Sequence, residues 1–157
     1  MPNKKILLLS GLIILLFFTD CKKNVLYRAS TEIQNKTWQI GDSICFNTEI
    51  KDTKNYYNIF INLNIDENFL TENIWLFVKS TSPSGNILND TVMFYITDKN
   101  GKWLGKKHGN TIKNKFLYKP HVKFPETGNY KFCLNHGMRK NDLPKINSVG
   151  ISIEKSE

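Results

Sequence analysis

The groups in this sequence that could do chemistry are few. Cysteines stand at 21, 45 and 133, and histidines at 108, 121 and 136. Beyond the first twenty residues, Asp66 and Glu67 are the one pair of adjacent carboxylates. The histidines lie far apart from one another, and each reads as a loop or strand-face residue. No H-E-x-x-H, G-x-S-x-G, phosphate loop or dinucleotide fingerprint occurs, so no catalytic residue is named. Asp90 and Asp98 flank one apolar run and could offer oxygens to calcium at a sheet edge, but turn and hairpin roles weigh more. No cofactor, no metal and no enzymatic activity are expected.

Cys21 is different, because its surroundings supply a chemistry. Lys4 and Lys5 precede an apolar run from Ile6 to Phe18, broken only by Ser10 and Gly11. Thirteen helical residues span roughly 20 Å against a bilayer core of about 30 Å, which is too short to cross but suits the apolar region of a secretion signal. Phe18-Thr19-Asp20-Cys21 follows where a cleavage site belongs. It resembles a lipobox, at which the leader is cut before a diacylglyceryl-modified cysteine, in the looser form used by Bacteroidetes. Stable anchoring needs more than one acyl chain, and such cysteines carry two or three, palmitate among them. Residues 1–20 are therefore read as a cleaved lipoprotein signal peptide, with membrane lipid as partner through acylated Cys21. Lys22-Lys23-Asn24 carries no acidic cluster of the kind that directs surface export. The expected place is the outer membrane of the cell envelope, lipid-anchored and facing the periplasm.

Removing the leader leaves 137 residues at a net charge of about +7, against +8 for the whole chain. Lys (20), Asn (19) and Ile (17) exceed a third of the sequence, and the lysines are scattered without a cluster. That pattern reflects composition more than an anionic partner, and no nucleic-acid partner is expected. An oxidising compartment permits a disulfide between Cys45 and Cys133. Alternation puts both on the polar faces of their strands, so they bridge only if those strands are neighbours; otherwise both stay unpaired.

The elements that must carry these groups are strands. Period-2 alternation recurs and the helical period hardly appears. The runs are 37–40, 43–50, 56–65, 74–80, 91–97, 102–104, 111–118, 122–124, 129–134 and 148–154. In 56–65, Ile59, Ile61, Leu63 and Ile65 are expected inward and Asn58, Asn62 and Asn64 outward. Ser82-Pro83-Ser84-Gly85-Asn86 and Pro125-Glu126-Thr127-Gly128 read as turns, and Asn100-Gly101 as a type I′ hairpin. Residues 70–73 suit a short helical turn and 142–147 a loop. The fold class is all-β: one antiparallel two-sheet β-sandwich, jelly-roll-like, over residues 31–157 behind a short tether at 21–30, with a small barrel as the alternative. Among the tryptophans, Trp75 sits in a run apolar on both faces and is expected in the core. Trp103, flanked by Gly101 and Gly105, could display its ring for ligand stacking against a sugar or peptide, though core packing is the favoured role.

Several segments in order resemble the gliding motility lipoprotein family, GldH, of the Bacteroidetes. They are Asn73-Ile74-Trp75-Leu76-Phe77-Val78, Ser82-Pro83-Ser84-Gly85 with Asp90-Thr91, and Gly101-Lys102-Trp103-Leu104-Gly105. Further on come Phe124-Pro125-Glu126-Thr127-Gly128-Asn129-Tyr130, His136-Gly137-Met138-Arg139 and Val149-Gly150-Ile151-Ser152-Ile153-Glu154. The resemblance implies an envelope lipoprotein that works with other gliding-machinery proteins as an accessory or scaffold. A glycan- or ligand-binding lipoprotein is the alternative.

Overall fold

The computed structural model describes residues 24–156. Cys21 and the leader expected at 1–20 lie outside the described residues. Eleven strands follow in order: β1 (Val25–Glu32), β2 (Thr37–Gln39), β3 (Ile44–Ile50), β4 (Tyr57–Asp66), β5 (Asn73–Thr81) and β6 (Ile87–Tyr95). Then come β7 (Lys106–His108), β8 (Thr111–Val122), β9 (Gly128–His136), β10 (Asp142–Pro144) and β11 (Ile146–Lys155). A single 3-10 turn, Gln34–Lys36, precedes β2. All pairings are antiparallel. They form a five-stranded sheet ordered β1-β11-β4-β8-β7, a four-stranded sheet ordered β3-β9-β5-β6, and the small ribbon β10-β2. Among the described residues no helix is long and apolar enough to cross a membrane.

Alternation does the organising. Ile59, Ile61, Leu63 and Ile65 of β4 are buried, while Asn62 and Asn64 turn outward and donate to Ser152 and Ser148 of β11 at 3.2 and 2.8 Å. From the other large sheet Phe46, Ile74, Leu76, Val78, Phe132 and Leu134 join the same apolar cluster. Phe94 of β6 stacks on Phe116 of β8 at 4.6 Å, bringing a side chain of each sheet into contact. Trp38 of the ribbon is 1% exposed, and its indole N–H donates to Asp42 O at 2.9 Å. That bond satisfies the ring's one polar atom away from water, as a buried indole requires.

Several boundaries differ from expectation. Residues 25–30, read as tether, belong to β1, which pairs along β11, so the folded body begins at Val25 and not at 31. Residues 70–73 form no helical turn, and 142–147 is no loop but β10 and the start of β11. The run 91–97 starts earlier, as β6 from Ile87, and 102–104 is no strand; Trp103 contributes only an isolated bridge to Thr97. The runs 111–118 and 122–124 merge through Pro120 into β8, where the ladder with β4 slips register. Proline is tolerated there because β7 pairs only with residues 111–113, leaving that side of Pro120 without a ladder partner. The Asn100-Gly101 turn is not type I′: of the two, only Gly101 has positive φ, at 77°. The Asp98 carboxylate sets the turn instead, accepting from Asn100 N at 2.8 Å and Lys102 N at 2.9 Å.

Candidate functional site

The outer face of the four-stranded sheet holds what the alternation of β5 displays away from the core. Ile74, Leu76 and Val78 point inward, so Trp75 and Phe77 must point out. They are 44% and 48% exposed, which overturns the expectation that Trp75 is a core residue. The strand is flanked by β9 and β6. Cross-strand neighbours extend the patch. Trp75 stands opposite Met93, and Phe77 opposite Thr91 of β6 and Asn135 of β9; Tyr95, 60% exposed, stands opposite Asn73.

The segment after β9 fixes the patch in place. Gly137 N–H donates to Trp75 O at 2.7 Å, and Trp75 N–H donates to the Met138 sulfur at 3.3 Å. These bonds lay Gly137 and Met138 alongside Trp75. A cleft of about 560 Å³ opens there, lined by Asn73, Trp75, Met138, Arg139, Lys140 and Leu143. Tryptophan, methionine and arginine around a solvent-facing apolar centre is the composition of a protein-binding hot spot. The chemistry on offer is apolar and aromatic contact with cations at the rim.

Directly beneath lies His136, with no exposed surface and its ring edge-on to Trp38 at 5.5 Å. Burial pushes its pKa below the ordinary 6.5, only partly offset by backbone groups of Asn141 and Trp38 and by the carboxylates of Asp142 and Asp42. The ring is therefore held neutral, as packing under the patch.

The disulfide borders the same face. Cys45 of β3 and Cys133 of β9 are direct cross-strand partners, joined at an S–S distance of 2.06 Å. Lys79 of β5 continues that row. Trp103 is half-buried and packs against the core. Its glycine flanks had suggested display, but the bridge to Thr97 folds the segment back.

The remaining candidates are dispersed. His108 lies exposed on β7, and His121 stacks on Tyr56 at 4.1 Å. Asp66 accepts from Asn68, while Glu67 is paired with Lys107. Asp90 is held by the Tyr118 hydroxyl and by Lys119 at 2.9 Å; both partners favour its ionised form, and its pKa is lowered although burial opposes this. Burial and the same carboxylate push the Tyr118 pKa up. Asp98 serves its turn. Among the described residues no three His, Cys, Asp or Glu side chains gather as metal ligands. The patch at Trp75 and Phe77 was legible in sequence only as excess apolarity on β5; Met93, Tyr95 and Met138 gave no signal by themselves.

Comparison with known proteins bears on the segments that build this face. Over 150 residues the chain is 31% identical to the gliding motility lipoprotein GldH homolog of Christiangramia forsetii, covering 91% of each protein. It is 28% identical over 162 residues to the gliding motility lipoprotein GldH of Flavobacterium johnsoniae, covering 99% of this chain and 98% of that one. Among solved structures, the VP2 subviral particle of infectious bursal disease virus aligns at 13% identity and a TM-score of 0.36, over 82% of this chain and 30% of that one, a likeness too loose to bear on function. The model of the GldH lipoprotein family matches residues 25–153, from the start of β1 into β11, and the chain belongs to that family.

Proposed function

We propose that this chain is a lipid-anchored envelope component of a gliding-type assembly, and that the outer face around Trp75 and Phe77 is where it meets a neighbouring envelope protein. Export, cleavage before Cys21 and acylation of that cysteine hold it at the membrane. The missing acidic cluster after Cys21 favours the periplasmic side of the outer membrane. The names of its relatives support the gliding association, and the role is one of contact, not catalysis. One core fed by both large sheets, with Phe94 on Phe116, supports a jelly-roll-like two-sheet sandwich as the scaffold.

One observation carries the assignment of the contact face. Trp75 and Phe77 are about half exposed on an interior strand, and Met138 is fastened beside them. Exposed aromatic area so placed marks an interaction site on a folded domain. The test is genetic. Expressed in a gliding relative that lacks its own family member, the chain restores colony spreading. Trp75→Ala with Phe77→Ser does not, although the lipoprotein reaches the membrane at normal level. Normal spreading with that double variant removes this face from the account.

Glycan binding has one observation in its favour. The outer face of the five-stranded sheet forms a trough of about 470 Å³ with Arg28, Ser30, Asn62, Asn64, Lys106 and Lys113 around it. Polar amides and cations there suit an acidic polysaccharide. Unchanged mobility in affinity electrophoresis on such glycans discards this reading.

A further inference from the structure

The chain enters the folded body at a fixed point. Lys155 N–H donates to Asn24 O at 2.6 Å and Ser156 N–H to Tyr56 O at 2.8 Å, so the C-terminal segment clasps both. Asn24 therefore lies at the end of the five-stranded sheet where β1 and β4 begin and β8 and β11 finish. The register places loops 51–56, 82–86 and 123–127 at this same pole, since Ile50 pairs with Gly128 and Thr81 with both Ile87 and Lys131. Only residues 22 and 23 separate Asn24 from Cys21, and three Cα-to-Cα steps reach at most about 11 Å.

From this we infer that the pole is a docking face for phospholipid headgroups, those of the leaflet that holds the acyl chains of Cys21. The inference rests on that acylation. A leash so short leaves the domain no freedom to present another side to the bilayer. The side chains at the pole suit a headgroup layer. Lys54, Lys123 and Lys155 are exposed, and none of the ion pairs among the described residues uses them. Tyr56 is 42% exposed and held rigid, with His121 stacked on it and Lys123 over its ring at 5.9 Å. A tyrosine flanked by cations is a common membrane-interface anchor. The carboxylates nearby are turned into their own loops: Asp52 accepts from Lys54 N at 2.7 Å, and Glu126 from the Ser84 hydroxyl at 2.6 Å. The consequence is orientation. Trp75 and Met138 lie toward the far end, roughly 25–30 Å up the strands, and are displayed away from the lipid.

The test uses the mature lipoprotein inserted into preformed vesicles of phosphatidylglycerol and phosphatidylethanolamine, or held in a neutral detergent. An amine-reactive reagent is applied, and labelling is quantified lysine by lysine by mass spectrometry. Labelling requires the neutral amine, and headgroup phosphates favour the ammonium. Lys54, Lys123 and Lys155 should therefore label about five-fold more slowly in vesicles than in detergent. Lys99, Lys102 and Lys140, at the opposite pole, should not change. Equal rates at both poles, on protein whose N-terminus is acylated Cys21, overturn the docking face and leave the anchor standing. Slowing confined to the opposite pole does the same. An unmodified Cys21 in that sample overturns the anchor, and the docking face with it.

Discussion

Removing the Cys45–Cys133 cross-link should cost this domain several kcal/mol, and the structure says why. The two sulfurs join residues 88 apart in sequence, and β4, β5, β6 and β8 all lie within the loop they close. Constraining a loop of that length in the unfolded chain is worth about 4.5 kcal/mol at 25 °C on chain entropy alone, with about 2–4 typical of measured cross-links. The native state loses little else, because Cys45 is exposed and Cys133 lies just under the surface, so Cys45→Ala with Cys133→Ala opens no deep cavity. Urea unfolding followed by tryptophan fluorescence reads the difference, Trp38 being buried. A domain of this size should lose roughly 1–3 M from its midpoint and about 7–15 °C from its Tm. The oxidised wild type treated with dithiothreitol should move to the same place. If the double variant and both forms of wild type unfold within about 0.5 kcal/mol of one another, which is the level of an ordinary surface change, the cysteines do not staple β3 to β9 and the reasoning fails.

Three more outcomes follow from particular contacts. The unfolded His136 protonates near its ordinary 6.5 while the buried one resists the proton, so the unfolded state binds more protons below that pH. Stability should be flat above about pH 7 and fall by up to about 1.4 kcal/mol per pH unit on acidification below 6.5; His136→Phe should lose that slope, and an unchanged slope in the variant refutes the assignment. Lowered carboxylate pKa values, as at Asp90 and Glu154, act at more acid pH and leave this window clear. A Cβ on Gly150 would stand 2.5 Å from the Ala29 carbonyl oxygen, so Gly150→Ala should force β1 off β11, costing about 1–3 kcal/mol and raising hydrogen exchange across residues 25–32; wild-type exchange there contradicts it. Trp38→Ala should cost about 3–5 kcal/mol, whereas Trp75→Ala should stay within about 1 kcal/mol of wild type in the same urea experiment, and the reverse order would place the two rings wrongly.

The fold is most legible in the sequence where one face of a strand is buried and the other wet. β4 is the clearest case, because Ile59, Ile61, Leu63 and Ile65 all reach the core through strict alternation. β5 shows the limit. A run apolar on both faces describes a strand buried on both sides and equally a strand whose outer face is kept for a partner, and only the fold tells them apart. That ambiguity places Trp75 inside, the reverse of what packing produces, whereas Trp103 packs against the core, the role favoured for it. β1 was missed because Val25-Leu26-Tyr27-Arg28 follows the leader so closely that it reads as tether, and its pairing with β11 is a contact across more than a hundred residues. The runs 111–118 and 122–124 join into one strand because Pro120 falls on an unladdered side of β8. Local periodicity carries burial; it does not carry neighbours.

The proposed anchor is a membrane lipid that replaces the leader at Cys21. Intact-mass and N-terminal peptide analysis of the native protein from its membrane fraction tests this most directly. The expected result is a chain that begins at Cys21 and carries a diacylglyceryl thioether, with no residue before it. Recovery from the soluble fraction with a free thiol at Cys21, or with the leader still attached, would contradict the anchor, the orientation and the assembly role together.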